Sequence, residues 1–298
     1  MQWLYLNGSL VRRDEATISV LDPAVIHGSA LVETFRSHEG RVFRLAHHFR
    51  RLCSGAPVLG LTIPLSLPTL EAAVADVLAR NEAPDARLRL TVSGGARPLM
   101  LRLSKHRGED VLREPQDERE STVILTARPL TDYPPELYER GMHATVADVR
   151  RNETSPLSRI KCAAGLLDGV LARERAREAG FDEAIMLNTR GSVAEATVSN
   201  VFVVRGGRLL TPPIESGALP GITRGAVLDL ARESGIEAVE TELALSDLRT
   251  SDEAFLTNSV MGVMPLTRLE GVPIGDGDVG QLTVGLSQRY RDAVSASA

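Results

Sequence analysis

The sequence predicts an α+β fold built as two domains, and three observations carry that expectation. Strand-like and helix-like stretches follow one another without the regular βαβ rhythm of a doubly wound sheet. At 298 residues the chain is long enough for two hydrophobic cores. Its texture changes at TARPLTDYPPELYERG (126–141), where prolines gather. These place an N-terminal α+β domain at 1–128, a connection at 129–140 and a C-terminal domain at 141–298.

Composition excludes several functional classes. A net charge of -5 and a pI near 5.8 argue against a general nucleic-acid or acidic-membrane binder. Cys53 and Cys162 are too few and too far apart for a disulfide framework or a cysteine metal site, and no metal is expected. No apolar run is long enough to span a bilayer, and the N-terminus lacks a signal-peptide pattern, so a cytoplasmic protein is expected.

In chain order, Trp3 to Leu6 and Ser9 to Val11 flank an Asn7-Gly8 turn and read as a hairpin. LVETFRSHEGRVFRL reads as two strands around Glu39-Gly40. AHHFRRLCSGAPVLG and PTLEAAVADVLAR (68–80) read as helices, the second begun by Pro68-Thr69. RLRLTV (87–92) and STVILTARPL (121–130) read as strands. KHRGEDVLREPQDERES between them carries both charges densely and reads as a solvated excursion. In the second half, HATVADV is a strand, and the run from EAIMLNT to RLLTPP alternates short strands with glycine turns. GITRGAVLDLARESG is a helix ending at Ser234-Gly235. EAFLTNSVMGVMPL is a strand followed by a turn, and DVGQLTVGLSQRYRDAV closes as a helix.

SPLSRIKCAAGLLDGVLARERA (155–176) is the stretch with the most unusual residue. Apolar side chains at Ile160, Ala163, Ala164, Leu167, Val170 and Leu171 suggest one amphipathic helix, capped by Ser155 or Ser158, with Lys161 near its start. A lysine among small and apolar neighbours loses hydration, which favours the neutral amine that Schiff-base chemistry needs.

Four other stretches can be read beside it. LPGITR (219–224) sets a glycine turn before a helix, leaving the amides of Ile222 and Thr223 free for an anion. In HHFRRL (47–52), adjacent Arg50 and Arg51 face different directions, so one can turn inward to a phosphate. Glu195 interrupts the small, apolar VAEATVSN (193–200), where a buried carboxylate needs a partner such as a protonated ring nitrogen. FLTNSVMGVMPL (255–266) brings Thr257, Asn258 and Ser259 to the end of an apolar strand. A rival match is S-x-x-K at Ser158 to Lys161, the nucleophile signature of penicillin-recognising acyl enzymes; K-T-G and S-D-N are missing, and it stands as the hydrolase alternative.

Taken together, LNGSLV, HGSALVETFR, GRVFRLAHHFRRL, RRNETSPLSRIKCAAGLL, GSVAEATVSNVFVV, LPGITR and FLTNSVMGVMPL resemble the fold-type IV pyridoxal-phosphate enzymes. That family includes branched-chain and D-amino-acid aminotransferases and aminodeoxychorismate lyases. The resemblance covers almost the whole chain and implies the family's two-domain fold and pyridoxal 5'-phosphate as cofactor. It implies that Lys161 forms the aldimine and that Glu195 pairs with the pyridine nitrogen. It further implies that Arg51, Ile222 and Thr223 hold the phosphate with Ser259 and Asn258 nearby, and that Leu219 packs under the ring. Val32, standing where an aromatic often lines the substrate pocket, Thr34 and Arg97 are the substrate-side candidates. Leu166 stands where many branched-chain enzymes carry a tyrosine. The implied activity is transamination between a small amino acid or amine and a keto acid, in a homodimer. The alternative is a lyase releasing pyruvate and 4-aminobenzoate from aminodeoxychorismate.

Overall fold

Two antiparallel-rich sheets, one from each half of the chain, form the frame. The structure is a computed structural model that describes residues 1–95 and 121–297; Arg97 and most of the charged excursion lie outside the described residues.

The first sheet has six strands: β1 (Trp3–Leu6), β2 (Ser9–Arg12), β3 (Ala30–His38), β4 (Arg41–Val42), β5 (Ala86–Ser93) and β6 (Thr122–Pro129), in the order β2-β1-β6-β5-β3-β4. All its pairings are antiparallel. The β3–β4 turn takes positive φ at both Glu39 and Gly40, the backbone that matches the strands' twist. Helices Leu45–Leu59 and Leu67–Arg80 cover one face, burying Leu52, Leu70 and Val77 against Leu31, Phe35, Leu88 and Leu90. Period two decides the faces: Leu31, Glu33, Phe35 and Ser37 point to these helices, and Val32 and Thr34 point away.

The second sheet has nine strands: β7 (Met142–Val146), β8 (Glu183–Leu187), β9 (Val193–Ala196), β10 (Asn200–Arg205), β11 (Arg208–Thr211), β12 (Ala238–Glu240), β13 (Glu253–Asn258), β14 (Gly262–Leu269) and β15 (Val272–Pro273). Helices Ile222–Glu233 and Gln281–Ser295 cover one face through Val227, Ala231, Leu286 and Tyr290 on Phe202 and Phe255. Where the sequence suggested only a turn after β13, the chain makes the further strand β14. Its Pro265 weakens the strand signal, and its pairing with β7 carries an irregularity between Leu266 and Arg268. The expected connection holds a short helix, Pro135–Arg140. Among the described residues, no helix is long and apolar enough to cross a membrane.

Candidate active site

Lys161 sits on an extended segment, not on the helix that the apolar spacing suggested. The stretch opens with a 3-10 turn, Pro156–Arg159, and the α-helix begins only at Leu167. Between them the chain lies along β3: the Val32 N–H donates to the Lys161 carbonyl at 2.8 Å, and the Ala163 N–H to the Ala30 carbonyl at 2.8 Å. Leu31 and Cys162 form an antiparallel bridge. Ile160 and Cys162 are buried in the first core, so Lys161 between them faces the other way, into a cavity of about 690 Å³. The helical reading went astray because Leu167, Val170 and Leu171, which completed its apolar stripe, are exposed.

One part of the cavity is made for an anion. The Ile222–Glu233 helix starts at Gly221 without a side-chain cap, leaving the amides of Ile222 and Thr223 without an intrahelical partner. Arg51 reaches the same turn, donating from Nη1 to the Pro220 carbonyl at 2.9 Å. Its Nε and Nη2 donate to Glu33 at 2.8 and 2.6 Å. Burial alone would raise the Glu33 carboxyl, but the Arg51 charge and the bonds from Arg51 and His48 hold it at about 2. His48 Nδ1 lies 2.7 Å from Glu33, so it must carry the proton; Nε2 then faces the Ser259 hydroxyl at 3.5 Å. Burial pushes the His48 pKa down against the pull of Glu33. Arg50, next to Arg51, is exposed, as adjacent positions on a helix require.

A second part holds a carboxylate. Glu195 on β9 accepts from the Leu219 N–H at 2.9 Å, and its other oxygen lies 3.1 Å from Arg151 Nε. Burial raises its pKa, opposed by Arg151, by the Leu219 amide and by the charge of Lys161. Arg151 also donates to the carbonyls of Gly165 and Ser158 at 3.1 and 3.3 Å, tying the lysine segment to Glu195. Loss of hydration brings the Lys161 pKa down to about 8, with Arg51 acting in the same sense and Glu33 and Glu195 opposing.

Lys161, Glu195, Arg51, Leu219, Ile222, Thr223, Asn258, Ser259 and Thr34 all line this one cavity. Val32 does not: its side chain is fully buried, and its contact with the lysine segment is through the backbone. Arg97 lies outside the described residues. The Asn258 oxygen accepts from Val260 and Met261 N–H at 2.9 Å each, closing the β13–β14 turn, so that side chain shapes the wall. Ser158 does not line the cavity and donates its hydroxyl to the Asn152 carbonyl at 2.6 Å, which removes the acyl-hydrolase reading.

Sequence reasoning passed over Glu33, His48 and Arg151. Glu33 had a signal, because the alternation of LVETF puts it on the face of Leu31 and Phe35. Arg151 had none.

The donor set fits pyridoxal phosphate. Arg51 and a helix start suit a phosphate, Glu195 suits a pyridinium nitrogen, and Lys161 suits an aldehyde. Ser199 and Thr257 also lie on the cavity wall, and their buried hydroxyls have no hydrogen-bond partner among the described residues.

Comparison with known proteins agrees. The family model for amino-transferase class IV matches residues 30–269. A putative branched-chain-amino-acid aminotransferase of Methanocaldococcus jannaschii is 36% identical over 289 residues, covering 97% of this chain and 95% of that protein. The branched-chain-amino-acid aminotransferase of Escherichia coli (strain K12) is 31% identical over 294 residues, covering 97% and 91%. Among solved structures, the Escherichia coli branched-chain amino acid aminotransferase superposes with a TM-score of 0.88 at 29% identity, covering 98% and 94%. The branched-chain amino acid aminotransferase from Thermobaculum terrenum, in its PLP-bound holo-form, gives 0.83 at 27% identity, covering 100% and 95%. These relatives are all aminotransferases, and none supports the lyase alternative. With its fold, lysine cavity and sequence all in agreement, the chain belongs to the class IV aminotransferases, enzymes that work with pyridoxal 5'-phosphate.

Proposed function

We propose that this enzyme moves the amino group of an α-amino acid to a keto acid, with Lys161 as cofactor anchor and proton carrier. The observation that carries the reading is the meeting of Lys161, Glu195 and the Arg51–Ile222 anion site in one cavity. Bound there, pyridoxal phosphate supplies an aldehyde and a pyridinium ring that withdraws electrons from the substrate Cα. Arg51 and the Ile222 and Thr223 amides would fix the phosphate, and the Glu33 carboxylate orients the Arg51 fork from behind. Glu195, held 3.1 Å from Arg151, would pair with the ring nitrogen and favour its protonated form. With its pKa brought down to about 8, the Lys161 amine would be neutral enough to take the proton from the substrate Cα and, as the ammonium so formed, to deliver it to the carbon on the far side of the substrate nitrogen. Leu166 lines the same wall and offers no hydroxyl where a tyrosine is common in branched-chain enzymes, so Lys161 works without that neighbour.

We further propose a homodimer. Leu167, Val170 and Leu171 stand 59%, 49% and 53% exposed on one helix beside the cavity, a patch that a second subunit would cover.

The test is chemical. Borohydride reduction of the cofactor-loaded protein should fix one pyridoxyl adduct on Lys161, and Lys161→Ala should carry none. Amino donors should then convert the cofactor to its aminated form with release of one keto acid. An adduct on another lysine, or 4-aminobenzoate formed without any keto acid, would overturn the reading.

A further inference from the structure

The cavity wall supplied by the first sheet is strongly basic. Arg87 and Arg89 lie two residues apart on β5, so both side chains leave the same face, opposite the buried Ala86, Leu88 and Leu90. Arg128 on β6 stands directly across from Arg87, and Arg89 is flanked by Thr34 on β3 and Thr126 on β6. Arg87, Arg89, Arg128 and Thr34 line the cavity that contains Lys161.

Like charges paired across strands destabilise a sheet. Burial and the charges of Arg87 and Arg128 push the Arg89 pKa down. Most other ionised groups around the cavity are matched: Arg51 with Glu33, Arg151 with Glu195, Asp132 with Arg36 at 3.1 Å, and Glu174 with Arg177 at 3.6 Å, while Arg173, on a helix at another part of the wall, lies 3.4 Å from the Tyr133 hydroxyl. Among the described residues, the three sheet arginines have no carboxylate at ion-pair distance. The cofactor phosphate has its own donors at Arg51 and the helix start, which leaves this cluster for something else.

An aliphatic side chain laid on three guanidiniums would strip their water and return no hydrogen bonds. A single carboxylate offers about four acceptor sites, whereas three guanidinium forks donating in pairs call for about six. We propose that Arg87, Arg89 and Arg128 form a polyanion subsite, so that the preferred amino substrate has a side chain ending in a phosphate, a phosphonate or two carboxylates. This rests on the transamination reading: Lys161 meets the α carbon while the arginine wall takes the far end. It departs from the branched-chain substrates in the relatives' names.

The experiment measures binding of three amine-free acids to the cofactor-loaded enzyme by calorimetry: 4-methylpentanoate, glutarate and 3-phosphonopropanoate. The phosphonate should bind about tenfold or more tighter than glutarate, and glutarate about tenfold or more tighter than 4-methylpentanoate. Arg87→Leu/Arg128→Leu should bring the three within about threefold of one another, and Arg87→Lys/Arg128→Lys should keep part of the preference. In parallel, O-phosphoserine should convert the cofactor faster than leucine. Glutarate binding as tightly as the phosphonate overturns the proposal. So does an order unchanged in the leucine variant with a lowered melting temperature, since the arginines would then be matched by the protein's own carboxylates. Should leucine be turned over while the acids show no such order, the subsite falls and transamination stands. Should no donor convert the cofactor, transamination falls, and the calorimetric order alone decides the subsite.

Discussion

Loss of hydration sets the Lys161 pKa at about 8 where 10.5 is ordinary, with the Arg51 charge adding to the shift. At neutral pH about a tenth of the amine is therefore uncharged, against well under a hundredth for a solvated lysine. Uptake of pyridoxal phosphate by the apoprotein should accordingly climb between pH 7 and 9 with a midpoint near 8, followed by absorbance in stopped flow. A profile still rising at pH 10 would mean that the amine keeps its ordinary basicity. The same group should make the apoprotein more stable as pH rises from about 8 to 10.5, because there the unfolded lysine still holds a proton that the folded one has released. At this scale the sequence marked Lys161 and Glu195 as odd among their neighbours. It could not mark Arg151, since an arginine in a polar loop looks solvated until the fold sets it 3.1 Å from Glu195.

Helix Leu167–Glu178 carries a constraint visible only as packing. A Cβ added at Gly169 would fall well inside contact distance of the Thr197 carbonyl, in the loop just after Glu195. That oxygen belongs to backbone and cannot swing away, so helix and loop must separate to admit a methyl group. Gly169→Ala should cost about 1–3 kcal/mol, read as a lower urea midpoint. An unchanged midpoint would show that the helix can slide. The element also shows where periodicity misleads. A 3.6-residue spacing ran from Ile160 to Leu171, but the edge of β3 offered backbone partners to residues 161–163, and the chain took them. Strands and helices whose partners are close in sequence were legible, such as the β1–β2 hairpin and the Ile222–Glu233 helix.

For the molecule as a whole, the exposed stripe of Leu167, Val170 and Leu171 beside the cavity is what a lone subunit would leave wet. Sedimentation should give about twice the 32.2 kDa of one chain, and Leu171→Glu should shift it toward a single chain. A monomer at all concentrations, with full transaminase activity, would remove the need for a partner.

By itself the sequence determined the mixture of elements, and it singled out Lys161, Glu195, Arg51 and the helix start at Ile222 as candidates for a cofactor site. Those signals are local: a period, a cap, or a polar residue in an apolar run. Only the tertiary structure decided what stands opposite each of them. Glu33 meets Arg51 from 18 positions away, Arg51 meets Pro220 from 169, and Arg87 faces Arg128 through strand register. Alternation says which face a side chain takes, while its partner is set by how the sheets close around the cavity, and charge matching is a property of that closure.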